Sequence, residues 1–212
     1  MSLSGTSVRG PTVMDNGCSE SVWLKRDNMN SSIAGTKIAF ITPPGGRAYP
    51  VAPFSATLAE GMLPASYGVL EPVWITVRDE QARTPIDSDL ESVNFLIRPH
   101  CRNDYTQATD FINAGHGDAV IVQYDFALFD HSDGTYLARS LKKVDVPVVV
   151  ILQNVPATLS PTACRHLMDV CRSAASVVVR SGSDYATVGE HYHLAREKRE
   201  FSREKRGADL VG

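Results

Sequence analysis

The chain has 212 residues, 43% of them hydrophobic and 21% charged, with a formal net charge of −3. That length accommodates one domain with extensions or two small ones, and the charge gives no electrostatic reason to bind nucleic acid or an anionic membrane. No apolar stretch approaches the roughly 20 residues that cross a bilayer, and the opening MSLSGTSVRG lacks the apolar core of a secretory signal.

A cytoplasmic location is therefore expected. The four cysteines, Cys18, Cys101, Cys164 and Cys171, have neither the CxxC spacing of a metal knuckle nor the density of a disulfide scaffold. They are expected to be small apolar fillers in a reduced protein.

Residues 1–35 are rich in Ser, Gly, Asn and Thr without apolar periodicity, which predicts a flexible leader. KIAFI, from Lys37, predicts a first strand, stopped by Pro43, Pro44 and the Gly45-Gly46 pair. A helix is expected from about Phe54, with Leu58, Met62 and Leu63 on one face and Pro64 at its end. PVWITV (72–77) and SVNFLIR (92–98) predict two more strands on either side of a polar segment. Asp104 is a candidate cap for a helix whose apolar stripe is Tyr105, Ala108, Phe111 and Ile112, and Gly115 is its natural stop.

The strongest strand signals come next. Ala119–Val122 and Val146–Leu152 are nearly continuous apolar runs rich in β-branched residues, as expected of strands buried on both faces. Between them Gly134 precedes a helix over TYLARSLKKV. Ser160-Pro161 opens another, ASVVVRS predicts a last strand, and Ser183 or Asp184 would cap a final helix. Strands alternating with helices specify an α/β fold: a single Rossmann-like, doubly wound, mostly parallel sheet with helices on both faces. The ordered domain is expected over 36–193, and 194–212 is expected to continue as a charged helix or tail, polar on every face.

Ligands of such sheets sit beyond the carboxyl ends of the strands. Four segments fall there. In TPPGGRAYPVAP, Gly45 and Gly46 let backbone N–H groups approach a phosphate, and Arg47 can pair with one through two bonds, although neither GxGxxG nor a Walker lysine is present. The loop after Gln123 carries Asp125, Asp130, His131 and Asp133 without EF-hand order, so it reads as a cap and turn rather than a metal site. Gln153 and Asn154 follow the central strand, and Arg180-Ser181-Gly182 follow the last. No GxSxG elbow, HExxH motif or Cys–His pairing supports acyl transfer or zinc hydrolysis. No metal and no cofactor is expected.

The series VQYDFALF, SDG, VILQNV, LSPTACRHL and VVVRS, with KIAFITPPGGRAYPVAPFSATLAEGM and NDYTQATDFINAGHGDAV upstream, resembles the N-terminal domain of bacterial GT-B glycosyltransferases of the retaining, mannosyltransferase-like kind. The likeness covers about residues 36–193 and rests on the colinear series rather than on any one motif. It implies a Rossmann-like acceptor-side domain that faces a second domain holding the nucleotide-sugar donor. Gly45, Gly46 and Arg47 would then border the sugar phosphate, and Tyr124, Asp125, Gln153 and Asn154 would line the acceptor side. Where the family pattern has His and Glu, this chain has Tyr124 and Asp125; the second family His falls at Gln153. Phenol and amide do not exchange protons readily near neutral pH, so the expectation is a domain that is not catalytic alone. A separately encoded donor domain or other protein partner, and a carbohydrate acceptor, are the partners the resemblance implies. The alternative is a stand-alone, non-catalytic module binding carbohydrate or protein.

Overall fold

The structure is a computed structural model that describes residues 35–43, 51–65, 70–78, 93–129, 133–153, 155–190, 192 and 199–201. All but the last residue of the expected leader lies outside these residues. The first half comprises β1 (Thr36–Thr42), α1 (Val51–Ala65), β2 (Leu70–Val77), β3 (Val93–Ile97) and α2 (Arg102–Phe111). There follow β4 (Ala119–Tyr124), the single turn α3 (Phe126–Phe129), α4 (Asp133–Leu141), β5 (Val148–Leu152) and α5 (Pro161–Ser173). The chain closes with β6 (Ser176–Val179), α6 (Gly182–Glu190) and β7 (Arg199–Phe201).

The strands form one sheet in the order β3-β2-β1-β4-β5-β6-β7, and every pairing is parallel. This is the α/β, Rossmann-like architecture that the alternation predicts. Both faces are covered, as a parallel sheet requires. One face packs Ile38, Phe40, Ile121 and Ile151 against Ala59, Leu58 and Phe54 of α1. The other packs Ile41, Val122, Val150 and Val177 against Tyr105 and Ala108 of α2, Leu137 and Leu141 of α4, and Leu167 and Val170 of α5. Each fully buried Phe, Leu or Val contributes about 1.5–3 kcal/mol of transfer free energy.

Local chemistry sets the element ends. Ser160 caps α5 by accepting from the Ala163 amide at 3.1 Å, with Pro161 in the first turn. Gly115, at φ +90°, takes the left-handed conformation that ends the π turn following α2. Gly134 lies inside the first turn of α4 rather than before the helix. A Cβ there would stand 2.6 Å from the Phe129 carbonyl oxygen and 2.9 Å from the His166 Cβ, so the close approach of α3 and α5 demands glycine.

Three expectations are corrected. Asp104 does not cap α2. It sits in the first turn, fully buried, and its Oδ2 accepts from the Arg98 backbone amide (3.0 Å) and Nε (2.7 Å), while Oδ1 accepts from Nη2 (2.8 Å). The capping position is Cys101, which is disulfide-bonded rather than reduced; Cys164 and Cys171 form no disulfide. The charged C-terminal segment is not one helix. Arg199–Phe201 adds a seventh strand, with Val177 opposite Arg199 and Val179 opposite Phe201, so the sheet extends past residue 193. The exposed backbone of β6 offers a ladder of hydrogen bonds, and pairing with it overrides the helical bias of a charged segment.

Because Asp104 is buried and accepts three hydrogen bonds from Arg98, Asp104→Ala should cost about 3–5 kcal/mol by breaking a largely buried ion pair. The exposed Arg172–Asp169 pair, at 3.5 Å, is the internal control, and Asp169→Ala should cost about 0–1 kcal/mol; urea unfolding measures both.

At the opposite edge of the sheet, His116 stacks on Phe111 with ring centroids 4.2 Å apart. Loss of hydration and then the Lys37 ammonium lower its pKa, against an opposing pull from Glu71. The unfolded chain therefore binds the proton more readily, and His116 contributes stability above about pH 6.5 that is lost on acidification. Thermal melts from pH 7.5 downward should show a shallower loss of Tm in His116→Gln than in the parent.

Candidate functional site

Each strand of the sheet's centre ends its apolar run on a polar residue, and side-chain alternation puts these on one face. Thr42 follows Ile38 and Phe40 on β1; Gln123 follows Ala119 and Ile121 on β4. Gln153 follows Val149 and Ile151 beyond β5, and Arg180 follows Val178 beyond β6. Thr76, paired with Thr42 in register, continues the row onto β2. The result is a polar row along the carboxyl edge on the α1 side. Thr42, Thr76, Gln123 and Gln153 are all buried.

The row is wired in one direction. Arg180 Nη1 donates to Gln153 Oε1 at 3.0 Å, and Gln153 Nε2 donates to Gln123 Oε1 at 2.8 Å. A guanidinium can only donate, so Gln153 must turn its oxygen toward Arg180 and its amide nitrogen toward Gln123. That orients Gln123 in turn and leaves its Nε2 as the terminal donor. This atom is buried and has no acceptor among the described residues. It stands beside the β1–β4 pairing, where the strand order reverses and open α/β sheets bind their ligands. At the other end, the Arg180 guanidinium lies 5.2 Å from the Phe54 ring centroid, a cation–π contact with α1. Next along β1, the Thr42 and Ser55 hydroxyls pair at 2.9 Å and tie β1 to α1.

The loop after β5 is held from two sides. Asp184 Oδ1 accepts from the Val155 amide at 3.2 Å, while Oδ2 accepts from Ser181 Oγ at 2.7 Å. Ser181 Oγ also accepts from the Asp184 amide at 3.0 Å, so Ser181, rather than Ser183 or Asp184, caps α6. The Tyr192 phenol donates to the Pro156 carbonyl at 2.6 Å. Burial, and then Cys164, raise the Tyr192 pKa, which keeps the phenol a donor.

Of the residues singled out in the sequence, Gln153 and Arg180 are in the row. Tyr124 is not: it is 1% exposed on the opposite face, edge-on to Phe126 and stacked on Phe129 with centroids 5.1 and 5.3 Å apart. Its expected place on the acceptor side is corrected by alternation, because Gln123 takes the position on the face of the polar row and Tyr124 points into the core. Asp125 is half-buried beyond β4, and its carbonyl accepts from the Phe129 amide at 3.0 Å to form the α3 turn. Gly45, Gly46, Arg47 and Asn154 lie outside the described residues, as do Asp130 and His131. Gln123, Thr42 and Thr76 were not singled out as site residues. Their signal is the same in each case: the first polar residue on the apolar face of a strand, at its carboxyl end.

The row offers amide, hydroxyl and guanidinium groups, which recognise hydroxyls and anionic oxygens without exchanging protons near neutral pH. Of the described histidines, His100 is exposed in the turn after β3, His116 is near Lys37 at the amino edge, and His166 on α5 hydrogen-bonds Thr135 at 2.8 Å. Among the described residues no cluster of three or more His, Cys, Asp or Glu could hold a metal ion, and no helix is long and apolar enough to cross a membrane.

No protein-family model matches this chain, and no curated protein matches it by sequence. Solved structures similar to it include homoserine dehydrogenase from S. aureus, 13% identical over 79% of this chain with a TM-score of 0.38. A second structure of that enzyme is 12% identical over 80% of the chain, with a TM-score of 0.39. A conserved protein from Enterococcus faecalis is 14% identical over 76% of this chain and all of its own length, with a TM-score of 0.37. The chain spans about a third of the dehydrogenase's length, 32% and 33% in the two structures. Neither name is that of a glycosyltransferase, and at these scores the fold rests on the strand order itself.

Removing the guanidinium while keeping its stem, as in Arg180→Met, should cost about 1–3 kcal/mol because Gln153 Oε1 loses its donor. Combined with Gln153→Met the loss should be less than additive, read from urea midpoints at constant m value.

Proposed function

We propose that this chain is a glycosyltransferase-like acceptor-side domain that binds a hydroxyl-rich carbohydrate at its carboxyl edge and carries out no transfer by itself. The observation that carries the reading is the terminal donor of the Arg180–Gln153–Gln123 chain. A buried amide N–H without an acceptor is costly, and a ligand hydroxyl or phosphate oxygen would relieve that cost. The seven-strand parallel order is compatible with the Rossmann-like fold that the resemblance implies. A phenol and an amide where the family pattern has imidazoles favour binding over proton transfer. In this reading a nucleotide-sugar donor domain, supplied by another polypeptide or another part of the protein, would complete the cleft. The same chemistry suits a stand-alone carbohydrate-binding module, and reconstitution with a donor domain separates the two.

Titration with mannose, glucose and their 1-phosphates, followed by side-chain amide NMR, should move the Gln123 and Gln153 resonances. Gln123→Met should weaken binding by about tenfold, the equivalent of one hydrogen bond to a buried donor. GDP- and UDP-sugars should not be turned over by the chain alone. Robust transfer by the isolated chain, or sugar binding indifferent to Gln123→Met, would sink the reading.

A further inference from the structure

A cleft lies between α2 and α4, with a volume of about 320 Å³, and it shares no residue with the carboxyl-edge row. Four cations line it: Arg102, Arg139, Lys142 and Lys143, all exposed. No carboxylate lines it, and among the described residues none of the four has an ion-pair partner. Beneath them the Thr109 and Ser140 hydroxyls meet at 2.5 Å, and both contact the Tyr105 carbonyl.

Four like charges converging on one concavity of a chain with net charge −3 form a local field that the overall composition does not explain. The helix macrodipole accounts for part of it. Arg139, Lys142 and Lys143 stand at or just past the C-terminal turn of α4, where cations are favoured. Arg102 is the opposite case. It occupies the first position of α2, where the dipole disfavours a cation, yet it joins the same cleft.

We infer that the α2–α4 cleft binds a compact, multivalent anion of the phosphate class. The four cations neutralise it, and Arg102 and Arg139 supply the planar forks that match phosphate oxygens. A volume of about 320 Å³ is at the lower end of small-molecule sites. It suits a di- or triphosphate or a phosphorylated small molecule rather than a nucleic-acid strand. The site stands independently of the carbohydrate reading.

The test uses tripolyphosphate, glucose 6-phosphate and inorganic phosphate as separate probes on the full chain, by calorimetry and amide NMR. The expected result is saturable 1:1 binding of tripolyphosphate or glucose 6-phosphate that perturbs the Thr106, Thr109 and Ser140 amides. Tighter binding of tripolyphosphate assigns the site to polyphosphates, and tighter binding of glucose 6-phosphate to phosphate esters. The double variant Arg139→Gln, Lys142→Gln should weaken the preferred probe by about tenfold or more, and Arg102→Gln alone should weaken it measurably. Arg165→Gln, an exposed cation on α5 outside the cleft, should leave affinity unchanged. All these positions are exposed, and circular dichroism confirms that the variants keep the fold. Absence of saturable binding to all three probes overturns the inference, as does equal weakening by Arg165→Gln, the mark of diffuse attraction.

Discussion

The pairing of β4 against β1, with Ala119 opposite Ile38 and Val122 opposite Ile41, is the contact on which the remaining architecture depends. Having laid β2 and β3 on one side of β1, the chain returns through α2 and sets β4 on the other. That single crossing places α1 on one face of the sheet and α2, α4 and α5 on the opposite one. Both faces are thereby buried, which an all-parallel sheet needs. It also puts α1, which follows β1, and α4, which follows β4, on opposite faces at the edge where ligands of this architecture are held.

The polar row at that edge follows from the same constraint. A strand buried on both faces can carry polar side chains only where its cover of helices ends, and then only if they satisfy one another. Arg180, Gln153 and Gln123 do this as a chain whose direction is dictated by the guanidinium. Among the described residues it stops one acceptor short. The bonds that let two glutamines be buried also fix the direction of the remaining donor. Asp184 and Tyr192 hold the adjoining loop through the Val155 amide and the Pro156 carbonyl, so the row is backed by fixed backbone.

Much of the fold was legible in the chain because burial writes itself into period and composition. AVIV and VVVIL are strands wherever they pack, Ser160-Pro161 starts a helix by local bonding, and Gly115 ends one by its left-handed φ. The site was legible only in part. Gln153 stands out as a polar residue closing an apolar run, and Arg180 was visible in the same way. Tyr124 and Gln123 are neighbours in sequence, and sequence alone does not say which of them faces the ligand edge; a one-residue difference in phase reverses the answer. Asp104 looked like a cap because caps are local, whereas its actual partner, Arg98, reaches it across the turn between β3 and α2.

By itself the sequence determined the element types from β1 to α6, their alternation and hence the α/β class, because these depend on interactions within a few residues. The tertiary structure alone decided the strand order, the phase of each strand, the capture of Arg199–Phe201 by the sheet edge and the meeting of Arg102 with Lys142 and Lys143. Those depend on pairing between residues tens of positions apart. Backbone hydrogen bonds and packing select such partners in three dimensions, and they leave no periodic mark on the chain.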